Sequence, residues 1–176
     1  MCAAARHAVR DRYAATLILV ARAARRSSRG EVAGVWVQVE VGLTALRRRS
    51  EQHYSAAVET AETHPESAAL LLFYAVECML KAALIRRRAG RSTNDLPEDY
   101  RTHDVGRLAK ELHLPPGNEP KGQYRIRGDR DTHVAVSVER LHEAWRYGSV
   151  FHESDMTEAY ALLTRIYELA MEDCRK

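Results

Sequence analysis

PESAALLLFYAVECMLKAALIRRRAG, residues 65–90, is the stretch on which the fold turns. Leu70, Leu71, Leu72, Phe73, Val76, Met79, Leu80, Leu84 and Ile85 leave almost no polar face, so a helix here must be wrapped by other elements rather than laid on a surface. Pro65 suits a first helical turn, where its missing N–H would have no partner anyway, and it keeps His64 out of the helical region. Arg86, Arg87 and Arg88 set positive charge against the carboxyl end of the helix dipole, and Gly90 can terminate it. Residues 68–85 reach membrane-spanning length only by including Glu77 and Lys81. Lipid would penalise that ion pair, and a buried helix of a soluble protein accounts for the run better.

Upstream of this stretch, helical periodicity begins at Leu43, and Tyr54, Ala57, Val58 and Ala61 share one face before His64-Pro65. Downstream, a third helix starts near Thr102, with Asp104 in its first turn and Val105, Leu108, Ala109 and Leu112 on one stripe. A polar loop at residues 114–133 follows, longer than most loops in compact domains. Val134, Val138, Leu141 and Trp145 then read as a fourth helix broken by Gly148. Asp155 and Glu158 read as a capping box opening a fifth, whose face is Met156, Ala159, Tyr160, Leu163, Ile166, Tyr167 and Ala170. The expected fold class is all-α, an up-and-down bundle of about five helices over residues 46–176. Residues 1–45 form a poorly defined basic extension. In it, residues 13–21 have a signal-peptide outline interrupted by Arg22, and Val35, Val37, Val39 and Val41 alternate with Trp36, Gln38 and Glu40 as in a short strand.

Charge is uneven along the chain. Residues 1–50 hold ten arginines against Asp11, Glu31 and Glu40, a balance of +7, so the remaining residues, with 17 basic and 21 acidic side chains, stand at −4. A mildly acidic body argues against broad, nonspecific phosphate binding and leaves room for a local contact. Cys2, Cys78 and Cys174 are odd in number and far apart, which fits a reducing cytoplasm better than a disulfide framework or a structural zinc site.

AVECMLKAALI (residues 75–85), THDVGRLAKEL (residues 102–112) and LHEAWRY (residues 141–147), followed by a final amphipathic helix, resemble in order and spacing the HEPN family, named for higher eukaryotes and prokaryotes nucleotide-binding. The resemblance covers about residues 54–170. It implies a helical bundle that commonly dimerises. It also implies a role among ribonuclease toxins paired with nucleotidyltransferase-like antitoxins, phage-defence effectors, or modules that bind RNA, nucleotide or protein without cleaving anything.

Active nucleases of that family carry an arginine followed four to six residues later by a histidine. Arg146 and His152 match this spacing, with guanidinium suited to phosphate charge and imidazole to a 2′-hydroxyl proton, and the resemblance calls for no metal or other cofactor. The spacing is common here: with 23 arginines about three of the eight histidines should match by chance, and His53, His113, His133 and His152 do. Tyr147 stands where active members carry a polar residue, so the Arg146-Tyr147 pair resembles the branch in which it closes helix four without known cleavage.

Glu77 and Lys81 lie one turn apart in the orientation of an ion pair, at the cost of holding charge on an apolar helix, which suits a cleft. His103 and Asp104 are placed to serve the start of helix three. Lys121, Arg125 and Arg127 surround Tyr124, offering cations for phosphates and a ring for a base. The all-round apolarity of the second helix suggests a homodimer that covers it, and a membrane location is not expected.

Overall fold

The computed structural model describes residues 39–115, 117–118, 122–128 and 132–175; the run at residues 13–21, residues 35–38 and Lys121 lie outside them. Among the described residues the fold is mostly α, with five α-helices and one two-stranded sheet. The helices are α1 (Leu43–Thr60), α2 (Pro65–Arg87), α3 (Val105–Glu111), α4 (Leu141–Arg146) and α5 (Glu153–Asp173); the strands are β1 (Tyr124–Arg127) and β2 (His133–Val136).

The centre is α2, with thirteen buried residues from Ala68 to Ile85. It packs most extensively against α1, then against α5, and α3 and α4 close its remaining sides. It is long and apolar enough to cross a membrane, yet 72% of its most apolar stretch is buried inside the fold, the pattern of a core helix. The face of α1 that meets it runs through Leu46, Ser50, Tyr54 and Ala57. Ser50, fully buried, donates to the Ala75 carbonyl at 2.6 Å, and Tyr54 stacks on Tyr167 of α5 at 4.2 Å between centroids. Val58, expected on this face, is 56% exposed, because the stripe steps by four and then three residues and leaves it outside.

The end of α2 departs from the sequence reading. Gly90 is not the left-handed residue: Ala89 is, with φ 53°. Ala89 N–H donates to Arg86 O at 2.9 Å and Gly90 N–H to Ile85 O at 2.9 Å, the paired bonds of a Schellman cap. Gly90 is needed for space, since a Cβ there would stand 2.9 Å from the Asp95 Cβ. The three arginines do more than answer the dipole. Arg86 donates to the Cys174 carbonyl, Arg87 grips Asp173 with two bonds of 2.7 Å, and Arg88 reaches Glu111 at 2.6 Å, tying this end of α2 to α5 and α3.

Two further expectations are corrected. The region read as a polar loop contains an antiparallel hairpin, with Tyr124 opposite Val136 and Arg127 opposite His133. Tyr124 is buried, Arg125 and Arg127 are exposed, and Ile126 is half-buried, so the period is two and Val134 belongs to β2 rather than to a helix. The other edge of β1 takes the chain entering α5: Arg127 N–H donates to Val150 O at 2.8 Å and His152 N–H to Arg125 O at 3.2 Å. Helix four is correspondingly short, with a 3₁₀ turn at Val138–Arg140 in front of it. At α5 there is no capping box. His152 is the N-cap without a side-chain cap bond, and Asp155 instead accepts from Arg125 Nε at 2.8 Å. Of the alternating valines, Val39 and Val41 are described and lie outside any strand. Gly42 forms a single bridge to Ser92, and Thr93 N–H donates to Val41 O at 3.0 Å.

Candidate functional site

A buried carboxylate interrupts the middle of α2. Glu77 is 7% exposed, and both of its carboxylate oxygens are engaged: Lys81 Nζ lies 2.8 Å from Oε1, and His103 Nδ1 lies 2.9 Å from Oε2. Lys81 comes from the next turn of the same helix, whereas His103 arrives from the segment before α3. Burial alone would push the Glu77 pKa up. The bonds and charges of His103 and Lys81 outweigh it and hold the carboxyl below its ordinary range. The same hydrogen bond raises the His103 pKa; burial, Lys81 and Arg146 offset it only in part.

Helix α4 completes the cluster. His142 is 8% exposed; its ring centroid lies 5.5 Å from that of His103 and 5.0 Å from Phe73. Burial, then the charges of His103 and Arg146, hold its pKa below the ordinary histidine value, against Glu143 and a backbone hydrogen bond at Glu139, which raise it. One turn on, exposed Arg146 donates to the hydroxyl of Tyr74, which sits one turn before Glu77 and Cys78 on α2. On the α1 side, His53 lies 6.1 Å from Tyr74 between ring centroids, and burial, then Arg49, lower its pKa. Burial pushes the nearby Cys78 thiol up to about 11, which makes it a poor nucleophile at neutral pH.

Lys81 and His103 thus converge on a single carboxylate, and the charge of Arg146 acts on His103 beside it. With His103 neutral the three central charges leave one net positive charge, and protonation adds a second. The side chain of His103 is 64% exposed and Arg146 is open to solvent, so an anion can approach without unfolding anything.

The other sequence candidates lie elsewhere or do other work. Asp104 caps α3, its Oδ1 accepting from Arg107 N–H at 2.9 Å, while His103, expected to share that task, turns to Glu77 instead. Tyr124 is 1% exposed and cannot offer its ring to a base. Arg125 is paired with Asp155, Arg127 is exposed at the end of β1, and Tyr147 is 77% exposed beyond α4. His152 contacts His133 of β2, with ring nitrogens 2.9 Å apart, so Arg146 and His152 have different partners. A second hollow of about 610 Å³, between α3 and the approach to the hairpin, is lined by Arg107, Lys110, His113, Asn118, Val138 and Glu139. Among the described residues no three histidine, cysteine or carboxylate groups gather as a metal set.

Tyr74 and His142 escaped the sequence reading, and His53 entered it only as a chance match to the arginine–histidine spacing. His142 lies between Leu141 and Trp145 on what reads as a core stripe, yet it stands four residues before Arg146, and that spacing was the available signal. No family model, curated protein or solved structure matches this chain.

Proposed function

We propose that the chain is a HEPN-like cytoplasmic module that binds single-stranded RNA, taking a backbone phosphate at the Glu77–His103–Arg146 cluster. The observation that carries this reading is that each of the three segments behind the resemblance contributes to one cluster: residues 75–85 supply Glu77 and Lys81, residues 102–112 supply His103, and residues 141–147 supply His142 and Arg146. Arg146, exposed and charged at any physiological pH, is the primary phosphate contact, and protonated His103 is the second. The acidic body keeps binding local and weakly salt-dependent, because one or two phosphates are neutralised rather than many.

Fluorescence anisotropy of a labelled single-stranded RNA tests it. Binding is expected at low salt, and Arg146→Ala should weaken it about tenfold, the loss of one charge-assisted contact. No binding at low salt, or equal binding by Arg146→Ala, overturns the reading. A toxin–antitoxin or phage-defence setting with a nucleotidyltransferase-like partner belongs to the same proposal.

The nuclease alternative built on Arg146 and His152 requires His152 to leave His133. As for the homodimer, α2 is already covered by its own chain. The face we assign to a second copy is instead the hollow of about 460 Å³ lined by Ile126, Val134, Val136, Ala144 and Tyr147, where large apolar side chains stand exposed. Light scattering at micromolar concentration should show twice 19.9 kDa.

A further inference from the structure

We propose that His133 and His152 form a bidentate site for a divalent late transition-metal ion, which ties strand β2 to the start of α5. The register of the sheet brings the two together. His133 stands opposite Arg127 in β2, and on the other side of β1 the chain pairs through Phe151 with Ile126, so that His152 N–H donates to Arg125 O at 3.2 Å. Arg125 and Arg127 share the exposed face of β1, and direct partners in a sheet share a face, so both histidines lie on that side, two residues apart along the strand between them. Their rings meet over β1, with His133 Nδ1 and His152 Nε2 2.9 Å apart and the ring centroids 4.4 Å apart. Both stand on hydrogen-bonded backbone, so the fold itself sets their separation.

Two imidazole nitrogens bound to one ion at about 2.0–2.1 Å stand roughly 2.8–3.0 Å apart when they meet at a right angle, and roughly 3.3–3.4 Å apart at the tetrahedral angle. The 2.9 Å separation fits neighbouring corners of a square or octahedron and so favours Cu²⁺ or Ni²⁺ over Zn²⁺. His133 is exposed and His152 half-buried, so the rings can turn both lone pairs toward one ion while water fills the remaining positions. Among the described residues no third histidine, cysteine or carboxylate joins them, which makes this an open, exchangeable site rather than a closed structural one. The neighbouring charges leave it accessible to a cation. Arg125 is neutralised by Asp155 at 2.8 Å, Asp155 lies close enough to His152 for their charges to interact, and exposed Glu153 follows His152; Arg127, opposite His133, is the opposing charge.

The pair shares no residue with the Glu77–His103–Arg146 cluster, so a failure here leaves the RNA-binding reading untouched. Full-length protein without a histidine tag is titrated with Ni²⁺ in a non-chelating buffer by isothermal calorimetry, and its thermal unfolding is followed with and without the ion. Wild type should bind Ni²⁺ with an affinity that His133→Ala and His152→Ala each weaken about tenfold or more, while the exposed His64→Ala leaves it unchanged. Because the ion bridges groups that part on unfolding, Ni²⁺ should raise the melting temperature of wild type and of His64→Ala but not of the other two variants. Neither heat nor a thermal shift at millimolar Ni²⁺ in wild type, or undiminished affinity and shift in either His133→Ala or His152→Ala, overturns the site. So does loss of the shift in His64→Ala.

Discussion

Replacing Ala89 with glycine and Gly90 with alanine should change stability in opposite directions. Ala89 holds φ 53°, a conformation that crowds a Cβ against the following carbonyl and costs an L-residue about 1–2 kcal/mol. Glycine removes that strain and returns roughly 0.5 kcal/mol of it through the freer unfolded chain, for a net gain of about 1 kcal/mol in Ala89→Gly. At this size the melting temperature should rise by roughly 3–4 °C. Gly90→Ala puts a Cβ 2.9 Å from the Asp95 Cβ and 3.3 Å from the Ile85 Cγ2. Asp95 cannot easily yield, because its carboxylate accepts the N–H groups of Arg91 at 2.6 Å and Ser92 at 3.0 Å. Overpacking of this kind costs about 1–3 kcal/mol. Thermal and denaturant unfolding followed by far-UV circular dichroism read both changes. If Ala89→Gly destabilises while Gly90→Ala is neutral or better, the left-handed residue is Gly90 and the reasoning fails.

Tyr124→Phe should be neutral or stabilising by up to about 1 kcal/mol in denaturant unfolding, because its buried hydroxyl has no partner among the described residues. Ser50→Ala should lose about 1 kcal/mol, since it leaves the buried Ala75 carbonyl without its 2.6 Å donor. For pH, His103 is raised in the fold, so its contribution is full below the ordinary histidine value and is lost as pH rises through the folded one; Glu77 is lowered, so its contribution is present above the ordinary carboxyl value and is lost as pH falls through the folded one. His103→Ala should therefore reduce stability more at about pH 6 than at about pH 9, measured by denaturant titration at each. An equal loss at both would separate His103 from Glu77.

What the sequence made legible follows from period and composition. An unbroken apolar run such as residues 68–85 has one economical burial, and the helical stripes of α1, α3 and α5 follow from their spacing. The hairpin was hidden because its strands are only four residues each and sit within a charged stretch, where alternation in YRIR competes with the look of a solvated loop. For the site, an i, i+4 pair such as Glu77–Lys81 is visible from local spacing alone. His103 meeting Glu77 from 26 residues away is not, since that contact is decided by where the chain after α2 returns. Of the four histidines with that spacing, His152 alone lies beside the segment that carries the resemblance, yet the strand pairing of residues 150–152 with β1 carries it toward His133.

The hairpin also bears on how the protein behaves when concentrated. β1 has hydrogen-bonding neighbours on both sides, whereas the outer edge of β2 meets no described strand and its four residues, His-Val-Ala-Val, carry no fixed charge. An open edge of that composition templates further strands, and the protection natural sheets place there, a lysine or an inward charge, is missing. Its shortness, four residues, is what restrains it. Self-association at high concentration is therefore expected to begin at this strand rather than to follow the overall charge of +3.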